Sequence, residues 1–287
     1  SCRHSRADDA TMSVVSGQTR REAYRQGRNV GRLGAVDSTR LPLLVTAVVL
    51  VTSAIVAVAA LLGYAASAAA LALLAIAMVV GWPVLVGAPS QPGVRVVLLG
   101  GGLAVAATVG WTSGPQRLLW VPVAVAVSVL LGFLQQLMRP PSRPRLTEGV
   151  AAVASALAAV ASGAALVPVT LRPHGPEFIV VGMIGLAAGA VVELVGRHRR
   201  IGVLAVVPAT IAGGLAGALV ASPLGLPVTV GIGLGMLLAS FSHTTRRVIG
   251  AVPGCHEPVA QVALGVISVL LSGVLVLSLA ALALPTA

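Results

Sequence analysis

The chain has 287 residues, 57% of them hydrophobic and only 9% charged, with a mean hydropathy of +0.99 and a formal charge of +11. So few charges cannot coat an apolar core, which excludes an ordinary soluble domain, and so much apolar surface excludes a disordered chain. A basic excess of this size in a soluble protein suggests nucleic acid. In a chain of apolar tracts it reads instead as the arginines that flank membrane helices and meet anionic lipid head groups, and no nucleic-acid partner is expected. All 19 of the Lys and Arg positions are arginine, which points to a GC-rich bacterial genome.

Residues 1–40 form a polar, basic tail, expected in the cytoplasm. The first methionine is Met12, and residues 1–11 are expected to be an upstream artefact outside the fold. Arg21, Arg25, Arg28 and Arg32 are spaced four, three and four apart, so a helix here would offer one cationic face to anionic lipid. The opposite face offers only Tyr24, Leu33 and small residues, and a mobile tail that fixes orientation by its charge is the simpler reading.

Residues 41–287 read as an all-α polytopic transmembrane bundle. The tract 41–94 lacks any Asp, Glu, Lys, Arg or His and is far longer than the roughly 20 residues that cross about 30 Å of hydrocarbon. It predicts two spans near 41–63 and 65–87 with a turn at Gly63-Tyr64, followed by a loop from Gly87 to Gly93. A third span follows at 95–111 and a fourth at 118–138, parted by Thr112–Arg117. The loop Arg139–Arg145 contains prolines that cannot continue a helix. The fifth span is 149–171 and the sixth 178–196, parted by Arg172–Pro176. The tract 201–242 predicts two more spans with a turn at Ser222–Gly225, and the last span is 262–284.

Nine spans, with the N-terminus in the cytoplasm and the C-terminus outside, place 17 of the 19 arginines on the cytoplasmic side and leave only Arg117 and Arg172 outside. A single span over 201–242 would carry Arg246 and Arg247 outside and spoil the segregation. The expected location is therefore the cytoplasmic membrane, crossed many times. Gly185 with Gly189, Gly231 with Gly235, and the run Gly100-Gly101-Gly102 are expected to let helix backbones approach closely in lipid.

Residues capable of chemistry are few. No aspartate follows Asp37, and the only glutamates beyond it are Glu148, Glu177, Glu193 and Glu257. Glu193 is the one carboxylate inside a predicted span. It stands one turn from Arg197, a spacing that allows an interfacial pair, and the competing reading is a functional carboxylate in a cytoplasm-facing cavity. The stretch from His243 to Gln261 is read as a polar loop containing Arg246-Arg247 and Cys255-His256-Glu257. Three adjacent residues do not match a recurrent zinc spacing, and Cys2 is the only other cysteine, so neither metal nor cofactor is expected. Arg246 and Arg247 can hold a phosphate through forked hydrogen bonds, although orientation alone already requires them. No catalytic residue is assigned. The candidate functional cluster at the cytoplasmic face is Glu148, Glu193, Arg246, Arg247, His256 and Glu257.

One family resemblance arises at these residues. Ser142 to Gly149, ending Thr147-Glu148-Gly149, resembles a short cytoplasmic motif of the phosphatidate cytidylyltransferase family. Gly235, Leu237 and Ser240, with Arg246, Arg247 and Pro253-Gly254, resemble that family's C-terminal signature before its last helix. The resemblance implies a multi-span bundle with its site at the cytoplasmic face. The family's signature aspartates, which hold magnesium against nucleotide phosphates, have no counterpart: Met236 stands where the first would be, and Pro258 to Gln261 supply no acid. The implied kinship is with an inactive relative.

The poverty of catalytic groups favours a non-enzymatic scaffold, assembly factor or accessory component. Its expected partners are the bilayer, anionic lipid head groups met by the tail and loops, and a membrane-protein partner or second copy. The alternative is a permease for a small or lipid-like molecule, with spans broken at Pro168, Pro208 and Pro227. It requires a polar cavity reaching mid-membrane between the fifth and eighth spans. A further alternative is a degenerate phospholipid enzyme, which requires Glu148, Glu193 and the His256-Glu257 loop to converge in one polar cavity.

Overall fold

The computed structural model describes residues 40–88, 91–112, 118–138, 146–198 and 205–284, with all their side chains except those of 40–42, 146, 196–198 and 253. Residues 1–39 of the basic tail, 89–90, the loops 113–117 and 139–145, and residues 199–204 and 285–287 lie outside the described residues. The described elements are α1 (Arg40–Leu62), α2 (Tyr64–Leu85), α3 (Gln91–Trp111), α4 (Trp120–Leu137), α5 (Leu146–Ala164), the single turn α6 (Leu166–Val169), α7 (Gly175–His198), α8 (Val206–Ala221), α9 (Val228–Ile249), α10 (Pro258–Leu270) and α11 (Ser272–Ala283). Among the described residues there is no strand, and nine helical stretches are long and apolar enough to cross a membrane, with α5–α6 and α10–α11 each making one broken span.

The turns follow from local chemistry. Gly63 alone joins α1 to α2, at φ +105°, a conformation that L side chains rarely adopt; its N–H bonds back to Ala59 O at 3.1 Å. Tyr64 is thus already helical, and its hydroxyl donates to Val109 O at the end of α3. Gly225, at φ +75°, closes the short turn Ser222–Leu224, so 201–242 does hold two helices. Four helices start earlier than expected, α5 at Leu146 and α10 at Pro258 among them. α3 begins at Gln91 and takes in Pro92, and α7 begins at Gly175 and takes in Pro176. A proline in the first turn lacks an N–H that would have no intrahelical partner anyway, and its fixed φ suits the helix.

The expected breaks are only partly realised. Pro208 sits in the first turn of α8 and Pro227 immediately before α9, where neither interrupts a span. The fifth span does break, at Ala165, one turn before Pro168. The ninth span breaks at Leu271 without any proline. The two breaks cross in contact: the Ser162 hydroxyl donates to Leu271 O at 2.9 Å and accepts from Val274 N–H at 3.2 Å. One hydroxyl thereby satisfies two backbone groups that have no water to turn to in a bilayer.

Consecutive spans run antiparallel and sort into two packed groups. α2 packs on α3, α5 and α10, and Trp82 Nε1 donates to Ala152 O at 2.7 Å. α7, α8 and α9 form a three-helix unit around glycines: an added Cβ at Gly235 would stand 2.1 Å from Gly213 O, and one at Gly185 2.5 Å from Gly235 Cα. Between the groups the interior is apolar, with Leu157, Met183, Leu186, Leu238, Ile267 and Leu270 among the largest fully buried side chains. α1 approaches α10 where Gly265 leaves room for Val48, whose Cγ1 lies 2.6 Å from the position of a Cβ there.

Candidate functional site

The polar loop expected from His243 onward begins later. α9 continues to Ile249 and is capped by Gly250, whose N–H donates to Arg246 O at 2.9 Å. The span was expected to stop at its first ionisable residue, but helical periodicity puts Ser242, His243 and Arg246 on one face, and that face is buried against α7. Arg246 and Arg247 occupy the last turn, where cations meet the negative end of the helix dipole.

At this end Glu193 of α7 meets Arg246 of α9. Arg246 Nη2 donates to Glu193 Oε2 at 2.6 Å, and its Nη1 donates to Ser242 Oγ at 2.7 Å. Glu193 and Arg246 are each 5% exposed, so the pair is withdrawn from solvent and its Coulomb attraction is little screened. His243 completes the group, with Nδ1 3.2 Å from Glu193 Oε2 but off the line of a hydrogen bond; both ring nitrogens are buried and make no hydrogen bond among the described residues. Burying two charges carries a desolvation cost that the attraction repays only with good geometry, so removing one partner alone is strongly unfavourable.

A cavity of about 300 Å³ opens beside the pair. Its inner wall carries Glu193, Arg246 and Gln261, its rim Arg247 and His256, and its apolar wall Val45, Leu194 and Leu264. The rim is positioned by the turn Pro253–His256. Gly254 lies against the last carbonyls of α2, where an added Cβ would stand 2.4 Å from both Val84 O and Leu85 O. Gln261 Nε2 donates to Cys255 O at 3.3 Å and ties the same turn to α10. Glu193 lies five residues from the end of α7, about 7–8 Å along the axis, so this is a vestibule at one end of the bundle and not a mid-span chamber.

Four of the six candidate residues, Glu193, Arg246, Arg247 and His256, therefore line one cavity. Glu257 is exposed next to it as the residue before α10, where its charge suits the helix N-terminus. Glu148 is exposed in the first turn of α5 and does not line the cavity. The Arg197 side chain falls outside the described residues, and with it the expected Glu193–Arg197 pair. His243 and Ser242 were passed over as members of the site. Their three- and four-residue spacing to Arg246 was the available signal, hidden by reading 243 onward as loop. Among the described residues no group of three His, Cys, Asp or Glu side chains converges as a metal site.

The second large recess is different in kind. It is a groove of about 970 Å³ between α3 and α4, lined almost wholly by apolar and small residues from Val96 and Gly100 to Leu131 and Met138. The architecture defines a polytopic helical membrane protein with a polar vestibule at a helix-end seam. No family model, curated protein or solved structure matches the chain.

Proposed function

We propose that the chain is a non-enzymatic accessory or scaffold component of the cytoplasmic membrane. In this reading the N-terminus and the vestibule face the cytoplasm, the C-terminus lies outside, and the arginine-bearing face is the working surface. The observation that carries the reading is the state of Glu193. Among the described residues the only carboxylate lining the vestibule is bound to Arg246, an arrangement that holds helices together and offers no poised base. Glu148, which a degenerate cytidylyltransferase would need nearby, does not line that cavity. A permease is supported by the α3–α4 groove but opposed by the apolar and glycine-packed interior between the fifth and eighth spans, where it needs a polar path.

Two measurements test this. Vesicles containing the purified chain, supplied with phosphatidate, magnesium and radiolabelled CTP, are expected to form no nucleotide-linked lipid; formation abolished by Glu193→Gln would establish an enzyme and end the accessory reading. Native gel electrophoresis of gently solubilised membranes is expected to show the 28.6 kDa chain in a larger stoichiometric assembly. A monomer alone would count against a scaffold. The orientation is tested by cysteines placed at Ser113 and Ser142, which must label from opposite sides of the membrane.

A further inference from the structure

We infer that the α3–α4 face is an interface between two copies of this chain, with α4 of each copy seated in the α3–α4 groove of the other. The inference goes beyond the accessory reading and does not depend on it, since an enzyme or a permease would pair through the same face equally well. α4 is the span least committed to its own chain. Only 22% of Trp120–Leu137 is buried, the smallest share among the nine described spans, and its buried positions are Val121, Ser128, Gly132 and Gln136. Its outer side carries large side chains at Leu130, Phe133 and Leu137, which are 66%, 49% and 54% exposed and spaced by three and four residues, so that they form one ridge. Beside that ridge runs the groove of about 970 Å³, whose α3 wall carries Gly100, Ala104 and Thr108 at four-residue spacing.

A ridge beside a groove makes a face complementary to itself under a two-fold axis. Two copies inserted the same way in one bilayer keep every residue at its own depth, so the ridge of one meets the groove of the other level by level. An added Cβ at Gly101 would stand 2.8 Å from Ser128 Cβ, which sets residues 101 and 128 level. α4 runs antiparallel to α3, so Leu130, about 3 Å further along its axis, lies level with residues 99–100. Leu130 of one copy therefore faces the opening at Gly100 of the other, where nothing of its own chain stands within 4 Å. The hydroxyls lining the groove are bonded within their own helices, Thr108 to Val105 O at 2.8 Å and Ser128 to Ala124 O at 2.6 Å, so the walls offer close packing, which is what joins helices in lipid. No Asp, Glu, Lys, Arg or His occurs in 96–116 or 118–138, so two chains of net charge +11 meet through the apolar depth without like-charge contact. The nearest arginines in sequence, Arg95, Arg117 and Arg139, come within five residues of a helix end or beyond it, where water and salt screen them. An acyl chain also fits the groove but leaves the ridge uncovered.

Cysteine cross-linking in lipid vesicles tests the interface, because detergent competes with the partner copy for the groove. In the full chain with Cys2 and Cys255 replaced by serine, one tagged form carries Gly100→Cys and a second, differently tagged form carries Leu130→Cys. The two are reconstituted together at low protein density and oxidised. The expected result is a disulfide-linked pair bearing both tags, formed roughly tenfold faster than between Ile211→Cys and Leu215→Cys forms, whose native side chains are 51% and 61% exposed on α8. Single-molecule bleaching of labelled chain in the same vesicles gives an independent count and is expected to show mostly two steps. Ala104→Phe fills the groove and Leu130→Ala removes part of the ridge; each should weaken pairing roughly tenfold, while Leu215→Ala leaves it unchanged. Equal cross-linking of the two cysteine pairs overturns the inference. Bleaching in single steps throughout also overturns it and means that lipid alone fills the groove. Two-step bleaching that survives both Ala104→Phe and Leu130→Ala moves the contact to another face and overturns this one. Pairing together with CTP-dependent lipid conversion would support the interface and overturn the accessory reading, and a larger assembly without pairing does the reverse.

Discussion

In the α7–α8–α9 unit four glycines of the α8–α9 contact stand against backbone, whereas Gly100 on α3 stands against nothing. An added Cβ at Gly213, Gly217, Gly231 or Gly235 would come within 2.1–2.5 Å of a carbonyl oxygen on a neighbouring helix, while no atom lies within 4 Å of one at Gly100. The same residue type therefore seals one seam and, at Gly100, lines the open groove between α3 and α4, although the next residue, Gly101, packs closely on Ser128 of α4. The closed seam is also the one that ends in the Glu193–Arg246 pair. Close backbone approach through the apolar depth brings the last turns of α7 and α9 near enough for side chains to meet charge to charge. The lesson is that small residues become structural only when a neighbour is placed to use them.

The sharpest way to break this contrast is to attack the charged end of the closed seam. Glu193→Gln strands Arg246 in a site with 5% exposure and is expected to destabilise the protein by about 3–5 kcal/mol, seen as a large fall in half-denaturation temperature in detergent. Glu193→Gln combined with Arg246→Met should recover much of that loss, because the cost lies in the unpaired charge. Additive losses in the double variant would mean that the pair is not the unit that matters. Next in size is Gly235→Ala. Alanine gains about 1 kcal/mol of helix propensity, yet its Cβ would stand 2.1 Å from Gly213 O. Overpacking of this kind costs about 1–3 kcal/mol, so the net change should be destabilising, and an unchanged or raised melting temperature would show that the seam is loose.

Most of the fold was legible because the bilayer writes length and charge into a sequence. The tract lengths and the arginine spacing predicted nine spans, and the turns at Gly63 and Ser222–Gly225 were readable as breaks in apolar runs. The misses have physical causes. Helix starts at Gln91 and Gly175 were placed too late because proline was read as a stop, when in the first turn it is an ordinary start. The site was legible as residue types but not as a network. Glu193 and Arg246 stand together in the candidate cluster, but their direct contact, across 53 positions of sequence, is not predicted by any local spacing. Only tertiary packing brings α7 and α9 together, and no local pattern encodes that. The break at Leu271 was equally invisible, since it is satisfied by Ser162, 109 residues earlier in the chain.

The crossing at Ser162 lies between the two seams in kind, since it joins broken helices by hydrogen bonds and not by close packing alone. Ser162→Ala removes the acceptor of Val274 N–H and the donor to Leu271 O, and leaving buried backbone groups unsatisfied costs about 1–3 kcal/mol. A smaller methyl in the same place cannot repair either bond, so a neutral result would mean that the two breaks find other partners.

The smallest expected effect is also the most discriminating one. Gly100→Ala adds a methyl where nothing stands within 4 Å, so it meets no steric penalty and gains up to about 1 kcal/mol from helix propensity. A small rise in half-denaturation temperature is the expected outcome, opposite in sign to Gly235→Ala despite the identical substitution. A clear fall would mean that the α3–α4 groove is filled in the native membrane by something that needs Gly100, and the open face would then be an interface in its own right. Comparing the two alanines in detergent and again in lipid vesicles separates these cases. A penalty intrinsic to the chain persists in both, whereas one that comes from an occupant appears only where that occupant is present.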